Sequence, residues 1–174
     1  MNEHEINCLL ESIPNYLGTF ALDEVKNVAL SAGQRLLIIN LDKRDGTGSH
    51  WIALAITLKS VYICDSLGGI LPSAKHFPQE LVNFLSHLAK TRNIFLTRQL
   101  QPSSSTLCGL YCVVFIMCMA EKKSFFDFVT LFTRDLKQND TIVRFLLQGQ
   151  MKRYIRSGCS FKSVREIHSN KNGA

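Results

Sequence analysis

Apolar positions recur along this chain with two periods, which divide it into helical and extended stretches. Ile6, Leu9, Leu10 and Ile13 fall on one face of a helix. Asn2 opens that helix as an N-cap with Glu5 three residues on, the pattern of a capping box, and Pro14 ends it. Residues 15–21, with Gly18 central, read as a loop, and 22–30 as a short helix. Arg35-Leu-Leu-Ile-Ile-Asn-Leu41 is a run of branched apolar residues, which predicts a buried strand. The charged residues 42–49, with Gly46 and Gly48, form an exposed connection. From His50 to Leu58 the pattern alternates. Ile52, Leu54, Ile56 and Leu58 take one face, while Trp51, Ala53, Ala55 and Thr57 take the other. The second face is mostly small, which suits a strand packed closely under a helix. Lys59-Ser60 turns the chain, and Val61-Tyr-Ile-Cys-Asp65 returns antiparallel before Ser66-Leu-Gly-Gly69 closes the far end.

Pro78, placed at the first helical position, opens a helix with Leu81, Val82, Leu85 and Leu88 inward. Residues 93–99 make a further strand that leads into the polar loop Gln101–Thr106, whose hydroxyls can cap the next helix. Leu107 to Ala120 is apolar nearly all round, so it reads as a helix buried on every side. It is too short to span a bilayer. Ser124 caps another helix to Phe132, and a last one runs from about Asp140 through Val143, Leu146 and Leu147 to Tyr154. This order predicts an α+β fold: a small mixed β-sheet packed against a central buried helix, with further helices flanking it.

Charge refines the picture at one end. Of a net +6, the chain from Lys152 onward holds six Lys/Arg against the single Glu166. We therefore expect one domain over residues 1–158 and a basic tail over 159–174. The tail reads either as a solubilising terminus or as a patch that meets nucleic acid non-specifically. The N-terminus has no basic region followed by an apolar stretch, so an intracellular protein without a membrane segment is expected. The six cysteines fit that compartment, lying mostly within apolar periodic segments rather than in a loop-borne framework. Cys108 and Cys112 have helical spacing but no matching His pair, so no metal site is expected.

Candidate chemistry gathers at the start of the buried helix. Cys108 sits on its first turn, where unpaired N–H groups and the helix dipole favour a thiolate. A thiol nucleophile needs a base, and that base needs an acceptor to fix its tautomer. The hairpin supplies both. His50 begins one strand and Asp65 ends the next, so a turn at Lys59-Ser60 brings them together at its open end. Attack on a carbonyl creates an oxyanion, for which the Cys108 N–H and the Gln101 amide are the natural donors. Gly109 would let backbone approach closely. Taken singly, each residue has a plainer use: a strand-start His at the surface, a helical Cys in the core, an Asp in a turn. Order and context raise the set above its members.

His50-Trp51, Asp65-Ser66-Leu67-Gly68-Gly69, and Gln101 followed six residues later by Cys108-Gly109 resemble the adenain/ubiquitin-like-protein protease clan of cysteine proteases. The resemblance covers roughly residues 1–120. It is closer to the adenain-like (adenovirus-type) branch, through Tyr16-Leu17-Gly18-Thr19-Phe20, residues 40–48 and Cys108-Gly-Leu-Tyr-Cys112. It implies a cysteine endopeptidase with His50, Asp65 and Cys108 as triad and Gln101 as oxyanion donor. Trp51 and Gly109 would then contact substrate. Cleavage would occur after glycine-containing sites, and the polypeptide substrates would be viral structural precursors. Host nucleus and virion would be the places of action, and the protein would act as a monomer. Two departures matter. Asp65 and the glycines after it match the cellular branch, which processes or removes ubiquitin-like modifiers, and this is the alternative reading. No cysteine lies between Cys64 and Cys108, where the adenovirus enzyme joins an activating peptide by a disulfide. No cofactor is required by these residues, and an activating peptide or DNA remains the candidate activator. The lowest alternative is a basic nucleic-acid-binding scaffold with an inactive protease-like core.

Overall fold

The computed structural model describes residues 1–30, 33–68 and 78–156, with side chains as far as residue 149. Gly69, Cys159, the boundary at 158 and the basic tail 159–174 lie outside the described residues. The elements run α1 (Glu3–Leu10), β1 (Tyr16–Phe20), a 3₁₀ helix (Leu22–Asn27), β2 (Arg35–Asn40), β3 (Trp51–Ile56), β4 (Ser60–Cys64) and α2 (Gln79–Ala89). After these come β5 (Asn93–Leu96), α3 (Cys108–Ala120), α4 (Phe125–Thr130) and α5 (Leu136–Arg156). The strands form one mixed sheet in the order β1-β2-β3-β4-β5, with parallel outer pairs and antiparallel inner ones.

The alternation in β3 decides how the layers stack. Ala53 and Ala55 join Leu36, Ile38 and Cys64 on one face, in a single core with the buried side chains of α3. Two alanines leave room for the helix to come close, as the small face predicts. The other face presents Leu37, Ile39, Ile52, Leu54, Ile56, Val61 and Ile63 to the 3₁₀ helix and α2. Helix α3 is apolar all round because α1, α4 and α5 cover the sides the sheet does not reach. Tyr111, Phe115 and Ile116 are wholly buried there, each contributing roughly 1.5–3 kcal/mol of transfer free energy.

Several boundaries differ from the sequence reading, each for a physical reason. Residues 16–20, expected as loop, are a strand paired in parallel to β2, with a register break between Tyr16 and Thr19. Gly18 lies in that break with φ +118° and hides the alternation. Leu58, expected inward, is 69% exposed because β3 ends at Ile56 and the turn carries it out. In that turn the Ser60 N–H donates to Thr57 Oγ1 at 3.0 Å. Pro78 is the N-cap of α2 rather than its first residue. Helix α3 has Leu107 at its N-cap, with no cap from that side chain, and of the loop hydroxyls Ser105 Oγ accepts the Leu107 N–H at 3.3 Å. The capping boxes at Asn2 and Ser124 are both present. The last helix begins at Leu136, ahead of Asp140.

Candidate active site

The register of the β3–β4 hairpin sets the first half of the site. Ala53 pairs with Cys64, so Asp65 and His50 lie just past the ladder at the same end. There His50 Nε2 and Asp65 Oδ1 are 2.7 Å apart, with the side chains only 13% and 3% exposed. Thr97, just after β5, pins the acid. It accepts the Asp65 N–H at 3.1 Å and donates its hydroxyl to the Asp65 carbonyl at 2.9 Å. The Leu67 N–H adds a bond to Asp65 Oδ1 at 3.1 Å. The turn beyond Leu67 needs glycine. Gly68 has φ +69°, and a Cβ there would come within 2.6 Å of the Gln99 nitrogen. Burial pulls the His50 pKa down, but the hydrogen bonds and charges of Asp65 and Cys108 outweigh it and lift it to about 9.

Cys108 supplies the second half from the first residue of α3. With Nε2 engaged by Asp65, the Nδ1 side of the His50 ring is left for this thiol, and the two residues line the same cleft. Burial raises the Cys108 pKa, yet the balance goes the other way. The His50 side chain and its charge, with the Trp51 and Gly109 N–H groups, bring it below the ordinary thiol value. The buried cysteines elsewhere in the core behave oppositely: burial pushes Cys64, Cys112 and Cys118 upward. Among these four described cysteines, Cys108 stands apart.

Gln101 is 1% exposed and held by its backbone and by both ends of its amide. Its backbone N–H donates to the Ser66 carbonyl at 2.9 Å, and its Oε1 accepts the Ser66 hydroxyl at 2.6 Å. Its Nε2 donates to the Ser105 carbonyl at 2.7 Å. Behind it, Asn139 Nδ2 donates to the Leu100 carbonyl at 2.9 Å, fastening the loop to α5. Tyr111 donates to Asp140 at 2.9 Å alongside. None of Ser66, Thr97, Asn139 or Tyr111 stands out in the sequence as a site residue. Their partners lie far along the chain, and no local pattern signals such pairings.

A cleft of about 430 Å³ runs past these groups, with His50, Trp51, Leu67, Gln101, Ser105 and Cys108 along it. Residues of the 42–49 connection and residues 1–3 also line it. Asn40 and Asp42 order that connection by accepting the N–H groups of Asp42, Ser49, Lys43 and Gly48. Arg44 ties it to Glu3 at 2.6 Å and to Glu24. Trp51 lines the cleft with its indole N–H on the Met1 carbonyl at 3.2 Å. Gly109 is placed differently. It is buried behind Cys108, where a Cβ would meet Met1 at 3.2 Å and Ile6 at 3.5 Å, so its closest approach is to Met1 and the start of α1. The structure thus brings His50, Gln101, Cys108 and Trp51 to one cleft, with Asp65 buried against His50 and Gly109 buried behind Cys108. A thiol of lowered pKa and an imidazole of raised pKa, with an amide donor on the same cleft, can attack a carbonyl and hold the oxyanion.

The chain resembles known proteins in a consistent way. A family model described as adenovirus endoprotease matches residues 17–132. The protease of Snake adenovirus serotype 1 is 28% identical over 129 residues, 67% of this chain and 64% of that protein. The protease of Bovine adenovirus 7 is 30% identical over 142 residues, 71% of this chain and 67% of that one. The chain thus spans about two-thirds of the length of these relatives. The crystal structure of an ASFV protease shares the fold with a TM-score of 0.53 at 15% identity, over 75% of this chain and 58% of that one.

Proposed function

This chain belongs to the adenovirus endoprotease family, and from that premise we propose that it is a cysteine endopeptidase that matures viral structural precursors by cutting after glycine-containing sites. The observation that carries the reading is the placement of Cys108 and Gln101 on one cleft with a His50 held 2.7 Å from the buried Asp65. In the proposed cycle the Cys108 thiolate forms a bond to the scissile carbonyl carbon. The oxyanion is taken by the Cys108 N–H and the free N–H of Gln101 Nε2. Imidazolium at His50, held by Asp65, gives its proton to the leaving amine as the C–N bond breaks. Water then loses a proton to His50 as it attacks the thioester, and the thiolate departs. Trp51 walls the substrate channel, and the backbone under Gly109 keeps the nucleophile at the helix tip.

The substrates on this reading are polypeptides in the host nucleus and the virion, and the enzyme works as a monomer. No cofactor takes part in the chemistry. An activating peptide or DNA would act on the arrangement of the cleft, DNA reaching the protein through the basic tail. Asp65 and the glycines after it favour a second reading, a protease for ubiquitin-like modifiers.

The test offers the purified chain two substrates, with and without DNA: peptides with glycine before the cut, and a modifier fused through its Gly-Gly end. Cleavage of the peptides is expected. Cleavage of the fusion alone would replace this function with the second one, and cleavage of neither would favour a scaffold with an inactive core.

A further inference from the structure

We propose that Ser66 is a positioning residue for the amide of Gln101, so that the dipeptide Asp65-Ser66 orients the histidine with one residue and the oxyanion donor with the next. The inference rests on the reading of Gln101 as that donor.

Geometry fixes which end of the amide is which. The Ser105 carbonyl can only accept, so the atom 2.7 Å from it must be the nitrogen. Oε1 therefore faces Ser66 at 2.6 Å, and the hydroxyl there must donate. Ser66 is wholly buried, so it makes no contact with substrate. Its carbonyl also accepts the N–H groups of Leu100 and Gln101, at 2.8 and 2.9 Å. One serine thus holds Gln101 by backbone and side chain together. Of the two N–H groups on Nε2, one is spent on Ser105, and the other has no partner among the described residues. With Gln101 and Cys108 lining one cleft, that second N–H is the group left for an oxyanion. A hydroxyl donating to Oε1 also draws electron density from the amide, which makes Nε2–H a better donor. Without Ser66 the amide keeps only the Ser105 bond and can rotate about it.

The experiment is a cycle of Ser66→Ala, Gln101→Ala and the double variant, read in kcat, KM, and the rate at which iodoacetamide alkylates Cys108. Loss of a single oxyanion donor costs about 10²–10³ in kcat, which sets the expectation for Gln101→Ala. Ser66→Ala is expected to lower kcat by roughly tenfold or more on that same scale, with KM little changed. In the Gln101→Ala background it is expected to add almost nothing. Alkylation makes no oxyanion and draws only on the His50–Asp65–Cys108 set, so its rate and pH dependence are expected to stay as in the unmodified chain.

A purely structural serine would slow alkylation along with cleavage, or act additively with Gln101→Ala, and either result overturns the proposal. So does an unchanged kcat in Ser66→Ala while Gln101→Ala is impaired. If Gln101→Ala itself keeps full kcat, the oxyanion reading fails first and takes this inference with it. Ser66→Cys, which fills the same space with a weaker donor, carries the test should the alanine variant not fold. An intermediate kcat is then expected, and a kcat equal to that of the unmodified chain overturns the proposal.

Discussion

Cys108 and Cys112 stand one turn apart on α3, on the same run of apolar residues, and their thiols are driven in opposite directions. Burial raises both. Around Cys112 nothing opposes it, and the nearby Cys64, Cys108 and Asp65 raise it further. Around Cys108, the His50 side chain, the Trp51 and Gly109 N–H groups and the imidazolium charge reverse the sign. A helix tip contributes through the Gly109 N–H, but most of the difference comes from the β3–β4 hairpin. Thiolate character here belongs to the meeting of two elements, and a cysteine one turn further in has none of it.

Removing the sulfur at each position separates the two most sharply. Cys108→Ala is expected to reduce cleavage by at least about a thousandfold with little change in Tm, since it removes one half-buried side chain at a helix end. Residual cleavage near the original rate would move the nucleophile elsewhere. Asp65→Asn is expected next in size, with kcat down by about 10²–10⁴, because it leaves the imidazole in place but without the charge that holds its proton. Equal loss of KM and kcat in that variant would point to a collapsed cleft instead. Cys112→Ala is the smallest change. It is expected to keep cleavage intact and cost roughly 1–2 kcal/mol of stability through the cavity left between α3 and the sheet, read by chemical denaturation. A loss of activity without loss of stability there would erase the contrast.

How far the chain announced this arrangement depends on how local the signals were. The α3 run, the small face of β3 and the hairpin that unites His50 with Asp65 were legible because each arises from periodicity over a few residues. Gln101 and Cys108 were legible from residue type and order. Strand β1 was not, since Tyr16–Phe20 becomes a strand only by pairing with β2, and Gly18 interrupts its alternation. Ser66, Thr97 and Asn139 were equally hidden. Their bonds reach 35, 32 and 39 residues along the chain, and nothing near any of them says which partner it will meet. Gly109 was legible as a close approach, but what it approaches is Met1 and Ile6 at the N-terminal end of the chain.

The pH dependence arises from the same pair, His50 and Cys108. His50 is charged until pH rises through about 9, and Cys108 stays ionised as pH falls until its lowered pKa is passed. The thiolate–imidazolium form fills the window between, so kcat/KM is expected to be bell-shaped with its alkaline limb near 9. The linkage has the matching sign. The stability His50 contributes is full below its unfolded value of 6.5 and is lost as pH rises through about 9.

The central claim, that His50 and its neighbours ionise Cys108 while the rest of α3 keeps its thiols neutral, meets its most direct test in alkylation rate against pH, resolved by residue. Cys108 is predicted to react fastest and to continue reacting well below the pH at which ordinary thiols stop. His50→Ala is predicted to return it to their behaviour, with Cys112 inert throughout. A Cys108 that alkylates along the curve of an ordinary thiol, indifferent to His50→Ala, would contradict it.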